Sequence, residues 1–222
     1  MSVLSPAVVP DSARGAGPPQ VTGRFSGDGD DFRVLLRRYR LGLALSVSAI
    51  LMLFIGFSSA YVVRRGIPTY DPGTGAYSAA WEPLVLPIGL LAINSLILVG
   101  ASVTMEMARR TVRIVGRKPA SIWINVSLLL SVGFIAGQGI AWGLMRSRGG
   151  FLSSGASTAF FYVITGTHAL HALVGVLALG WIAIRHTTWV AWRRYLAVDL
   201  TAWYLHSMTV LWIYLFCFLL FV

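Results

Sequence analysis

Five stretches of this chain hold no Asp, Glu, Lys or Arg: Leu41 to Val63, Leu84 to Val103, Ala120 to Met145, Ala159 to Ile184 and Ala202 to Val222. A helix rises about 1.5 Å per residue and the hydrocarbon core of a bilayer is about 30 Å thick, so about 20 apolar residues in sequence cross it. Each stretch is that long. The runs are continuous and not alternating, which excludes the short two-faced strands of a membrane barrel and leaves helices as the spanning element. The expected fold is an all-α membrane protein of five transmembrane helices at about 41–63, 84–103, 120–145, 159–184 and 202–222.

The formal charge of +10 raises the question of a nucleic-acid partner, and the placement of the 18 basic residues answers it. Six arginines precede the first run (Arg14, Arg24, Arg33, Arg37, Arg38, Arg40), five basic residues lie between the second and third (Arg109, Arg110, Arg113, Arg117, Lys118), and three follow the fourth (Arg185, Arg193, Arg194). Only four, Arg64, Arg65, Arg146 and Arg148, fall in the alternate connections. This is the bias of a chain with its N-terminus inside and its C-terminus outside. Trp189, Trp192 and Tyr195, interleaved with Arg193 and Arg194, read as an interfacial belt and not as a stacking platform for bases.

Residues 1–32 are rich in Pro, Gly, Ser and Asp and lack the basic start and apolar run of a cleaved signal, so they read as a disordered cytoplasmic tail ahead of a single membrane domain, 33–222. The segment RRGIPTYDPGTGAYSAAWEP, from Arg64 to Pro83, is expected to be an external loop on the headgroups. Cys217, the one cysteine, lies deep in the last apolar run and reads as a small hydrophobe. The odd helix count and the absence of charges inside the runs argue against an inverted-repeat transporter. Gly133 with Gly137, and Gly139 with Gly143, form two small-xxx-small patterns that would let the third helix approach a neighbour.

Polar side chains inside the runs are few: Asn94, Asn125, Gln138, Thr165, His168, His171 and His206. Each is costly in hydrocarbon and needs a hydrogen-bond partner. His168 and His171, three apart, share a helical face with Thr165 and Gly175. A six-coordinate haem needs axial ligands from different segments, and His206 is the one intramembrane imidazole on another run, so one haem is conceivable and two are not. The plainer reading makes these imidazoles hydrogen-bonding groups that hold helices in register, with His186 a surface residue. Ser153 and Ser154 near His168 do not make an intramembrane protease, since they fall in a connection, no G-x-S-x-G elbow is present and no acid is at hand to orient a histidine.

The fourth run reads FFYVITGTHALHALVGV from Phe160 to Val176. It closely resembles the signature helix of subunit III of haem-copper respiratory oxidases, in which FF is followed by G-x-H-x-x-H and a glycine; Phe160, Phe161, Gly166, His168, His171 and Gly175 fall on those positions. Further similarity follows in order: SSAYVVRR at Ser58 to Arg65, WEPLVLPIGLLAINSLILVGASVT at Trp81 to Thr104, Phe134 with Gln138 and Trp142, and His206 with Trp212. The chain looks like the five-helix bacterial form. It departs from the pattern where family members often carry an acid, at Ala49 or Ile50, at Ala141 and at Thr209.

The resemblance implies a non-catalytic core subunit of a proton-pumping terminal oxidase in a bacterial plasma membrane. It implies packing against subunit I, with subunit II also in the complex, bound phospholipid, and support of assembly and sustained proton uptake. Haem and copper are then expected in subunit I and none in this chain, which has four histidines and one cysteine where subunit I needs six histidines and the dicopper centre of subunit II two cysteines. The residues assigned to helix packing and lipid by this similarity are Tyr61, Asn94, Gln138, Trp142, Thr165, His168, His171, Gly175, His206 and Trp212. The electron donor, cytochrome c or quinol, is left open. Two alternatives remain beside it: an accessory subunit of a nitric oxide reductase, and a small membrane haem-binding protein using His168 or His171 with His206.

Overall fold

The computed structural model of the chain describes residues 28–73, 75–78, 86–114, 117–149, 155–185 and 188–221. Five helices, each long and apolar enough to cross a membrane, make up almost all of it: α1 Asp28–Gly66, α2 Ile88–Ile114, α3 Arg117–Ser147, α4 Ala156–Arg185 and α5 Ala191–Phe221. The protein is a multi-pass membrane protein. Two compact units are distinguished: the segment through Arg38, whose described part is the first portion of α1, and Tyr39–Val222, which holds all the other elements. Most of the stretch read as a tail, residues 1–27, lies outside the described residues, as do Ser153, Ser154 and His186.

The helices outrun the charge-free stretches at their polar ends. α2 continues from Val103 to Ile114, and α5 begins at Ala191, well before Ala202. Charges stopped the apolar runs but not the helices, because the acids among them, Glu106 and Asp199, are paired with arginines. Glu106 bonds Arg109 and Arg110 three and four residues on, a spacing that stabilises a helix. Pro87 accepts the Leu91 N–H at 3.1 Å and stands just before α2, where its missing donor costs nothing. Arg64 to Pro83 holds more order than the expected loop. Strand β1 (Thr69–Asp71) pairs antiparallel with β2 (Ala76–Ser78), Tyr70 opposite Tyr77 with ring centroids 5.4 Å apart. The turn closes through Gly75 at φ 66°, which a side chain would disfavour.

Four helices form a closed ring, α2 against α3 and α5, and α4 against α3 and α5. Side-chain hydrogen bonds span each seam. Asn94 Nδ2 donates to Phe134 O at 3.2 Å between α2 and α3, and Trp142 Nε1 to Thr165 Oγ1 at 3.1 Å between α3 and α4. Tyr204 Oη donates to His171 O at 2.8 Å between α5 and α4, and Trp212 Nε1 to Ser95 Oγ at 2.9 Å between α5 and α2. Among the described residues α1 brings no Cα within 8 Å of another helix. It packs by its large side chains, Phe54 and Tyr61, against Ile164, Met208, Leu211 and Leu215.

Of the two glycine patterns, one lies at a contact within the chain. A methyl group at Gly137 would overlap the Asn94 amide, and one at Gly133 would touch Ile97, whereas Gly139 and Gly143 have no such neighbour. Gly137→Ala is therefore expected to lower the unfolding free energy of the purified chain by about 1–3 kcal/mol, the usual cost of overpacking, while Gly143→Ala leaves it nearly unchanged. Thermal unfolding in detergent checks this; equal stability of the two variants would contradict the α2–α3 packing.

Candidate functional site

The imidazole of His168 on α4 is fully buried among aromatic rings of three other helices. Trp212 of α5 lies against it at 5.0 Å between centroids and 34° between planes, Phe134 of α3 meets it edge-on at 5.9 Å, and Phe54 of α1 at 6.2 Å. Neither ring nitrogen of His168 has a hydrogen-bond partner. One turn earlier Thr165 donates back to Phe161 O at 2.7 Å while accepting from Trp142. One turn later His171 Nδ1 lies 2.8 Å from Thr167 O. The absence of a Cβ on Gly175 admits the Tyr204 ring, whose Cε1 would stand only 3.2 Å from a methyl group there.

Asn125, also singled out in the sequence, is exposed and lies apart from this centre. Gln138 and Asn94 are both buried and bond one another at 3.5 Å, leaving Asn94 Oδ1 and Gln138 Nε2 without partners. Tyr61 packs between Phe160 and Phe218, at 5.7 and 5.3 Å. His206 stands apart from His168: it is six residues, about 9 Å of helix rise, from Trp212, the residue that meets His168. Its Nδ1 meets Ser102 Oγ and its Nε2 lies 3.5 Å from Glu106 Oε2. Both ring nitrogens of His206 thus meet side chains of α2, and His171 Nδ1 meets the carbonyl of its own helix. Among the described residues no group of three His, Cys, Asp or Glu side chains is placed to hold a metal ion.

His206 belongs instead to an ion-pair network at the polar ends of α1, α2 and α5. Asp199 is fully buried and receives Arg40 in a two-pronged contact, Nε to Oδ2 and Nη2 to Oδ1, both 2.9 Å, with Arg109 Nη1 at 3.4 Å. Arg109 also grips Glu106 through Nε at 2.7 Å and Nη2 at 2.9 Å, and Arg110 Nε adds 2.9 Å. A buried carboxylate needs this opposite charge, and the planar guanidinium fork matches it. Sequence reasoning missed Glu106 and Asp199 because both lie outside the charge-free runs. The signals were present: Glu106 precedes Arg109 and Arg110 at helical spacing, and Asp199 is the one acid in a basic segment.

Beside this network, α1 and α5 enclose a groove of about 370 Å³ lined by Leu43, Ala44, Val47, Ser48, Trp203 and Ser207, with Arg40 also in its wall. Asp199→Asn keeps the shape of the residue and removes the charge that holds Arg40 and Arg109. It is expected to cost about 1–2 kcal/mol, below the value for a wholly buried pair because Arg40 is half exposed. Arg40→Asp, which sets a second carboxylate beside Asp199, is expected to be more destabilising than Asp199→Asn. Denaturation of the purified variants measures both.

The family model for cytochrome c oxidase subunit III matches residues 22–222. Among similar proteins, cytochrome c oxidase subunit 3 of Pylaiella littoralis is 27% identical over 185 residues, which cover 80% of this chain and 64% of that protein. Its counterpart in Xenopus laevis is 26% identical over 80% of this chain and 66% of its own length. A probable cytochrome c oxidase subunit 3 of Nocardia farcinica is 28% identical over 82% of this chain and 87% of its own length. The chain thus spans just under two thirds of the length of the first two relatives and most of the third. Five spanning helices, a histidine-bearing fourth helix locked to its neighbours, and a match over nearly the whole length place this chain in the cytochrome c oxidase subunit III family.

Proposed function

We propose that this chain is a non-catalytic structural core subunit of a proton-pumping haem-copper terminal oxidase, seated in a bacterial plasma membrane with its N-terminus inside and its C-terminus outside. The observation that carries the reading is the ring of four inter-helix hydrogen bonds around His168. Three of its four bonds use a side chain of the family motif, Asn94, Trp142 or Trp212, to join one helix to the next, while the His168 ring is packed among aromatic rings, and this favours packing over chemistry. The orientation is supported by the 14 basic residues on one set of connections against 4 on the other. A bacterial source is supported by the Nocardia relative, which shares most of its length with this chain.

In this reading haem and copper belong to subunit I, against which the chain packs, with subunit II alongside, and the chain supports assembly and sustained proton uptake. The groove between α1 and α5 suits an acyl chain, since its walls are mostly apolar, and Arg40 at its polar end suits a phosphate. Bound phospholipid is therefore part of the proposal, together with a packing or lipid role for Tyr61, Asn94, Gln138, Trp142, Thr165, His168, His171, Gly175, His206 and Trp212.

Purification of the tagged chain from native membranes is expected to bring down oxidase subunits carrying haem and copper. His168→Ala removes the ring that fills the centre of the bundle and is expected to lower the yield of assembled complex several-fold, with turnover per assembled complex changed much less. Normal yield with abolished turnover would contradict the structural role. The chain expressed alone is expected to show no Soret band; a stoichiometric band lost in His171→Ala would favour the haem-binding alternative.

A further inference from the structure

His171 is the sixteenth of the 30 residues of α4, so about 21 Å of helix separates it from either end, more than the roughly 15 Å half-thickness of the hydrocarbon. Its ring is oriented by its own helix. The partner of Nδ1, Thr167 O at 2.8 Å, is a carbonyl that only accepts, so Nδ1 carries the proton and Nε2 keeps a bare lone pair.

Among the described residues nothing donates to that lone pair. Phe54, 6.0 Å away between ring centroids, offers an aromatic edge or face, and the Tyr204 hydroxyl is committed to the His171 carbonyl. His168 is fully enclosed, but His171 is only half-buried and reaches the outside of the chain beside Leu170 and Val174, both well exposed. Acyl chains carry no donor and water is scarce at this depth, so a bare acceptor here calls for a donor from another molecule.

We propose that His171 Nε2 accepts a hydrogen bond from an O–H or N–H side chain on a transmembrane segment of another oxidase subunit, which makes α4 a docking helix of this chain. The inference rests on the family-based reading of the function. An intramembrane hydrogen bond of this kind adds modest strength and fixes register, since the donor must arrive at one depth on one helix.

The test uses the assembled complex purified from native membranes. In His171→Phe, which keeps a ring and removes the acceptor, the chain is expected to leave the complex in detergent about three to ten times faster than in the wild type. His171→Gln, whose amide oxygen still accepts, is expected to stay near the wild-type rate. A photo-crosslinking residue at Leu170 in the otherwise wild-type chain is expected to join a membrane segment of another oxidase subunit, and this decides the matter even if His171→Phe fails to assemble. Crosslinks to lipid or quinone alone, or an unchanged rate in His171→Phe, would overturn the proposal while leaving the oxidase reading intact if oxidase subunits still co-purify. If no oxidase-type subunit co-purifies, both readings fall.

Discussion

Hydrocarbon offers no hydrogen bonds, so a polar group that enters it must be answered by protein. That constraint organises the seams of the bundle, whereas the His168 imidazole, expected from the sequence to be hydrogen-bonded, is enclosed by aromatic rings with neither nitrogen paired. Asn94, Trp142, Tyr204 and Trp212 each reach from one helix to the next, and their four bonds run once around the ring α2–α3–α4–α5. Ser127 adds a second α2–α3 bond to Ala101 O at 2.9 Å. Apolar packing alone discriminates weakly between one helix–helix register and another when lipid is an equally good solvent. A polar group at a fixed height has one position that satisfies it.

α1 is held by different means. Its backbone stays away from the other helices, and two contacts far apart along its length fasten it: Arg40 to the buried Asp199, and the Phe54 and Tyr61 rings to α4 and α5. Between these contacts the space is filled incompletely, which is why the groove appears there. Charge at one end and aromatic area along the rest give α1 a set position without close packing. The network at the polar end also draws in His206, tying together the helices whose ends carry most of the charge.

The spanning helices, their number and their approximate places were legible in the chain, since length and freedom from charge are local properties. Their ends were less so. α5 begins at Ala191 and α2 runs on to Ile114, and the acids in these extensions, Asp199 and Glu106, are neutralised by arginines distant in sequence or a turn away. The hairpin around Gly75 was hidden in a segment whose turn formers read simply as loop. The site was legible in its members and not in its grouping. His168, Trp142, Gln138 and Trp212 stood out as polar or amphipathic side chains in apolar runs, yet nothing local separated His206, whose partners Ser102 and Glu106 lie about a hundred residues earlier.

The chain by itself determined that it crosses a membrane five times, because hydrocarbon thickness and the cost of charge act on each segment independently. It also determined which few side chains would need partners. Only the tertiary structure decided who those partners are: that the His168 ring lies against Trp212, that Arg40 meets an acid 159 positions away, and that His171 keeps one nitrogen bare. Such pairings depend on the rotation and height of each helix against its neighbours, and those are set jointly by every seam of the bundle.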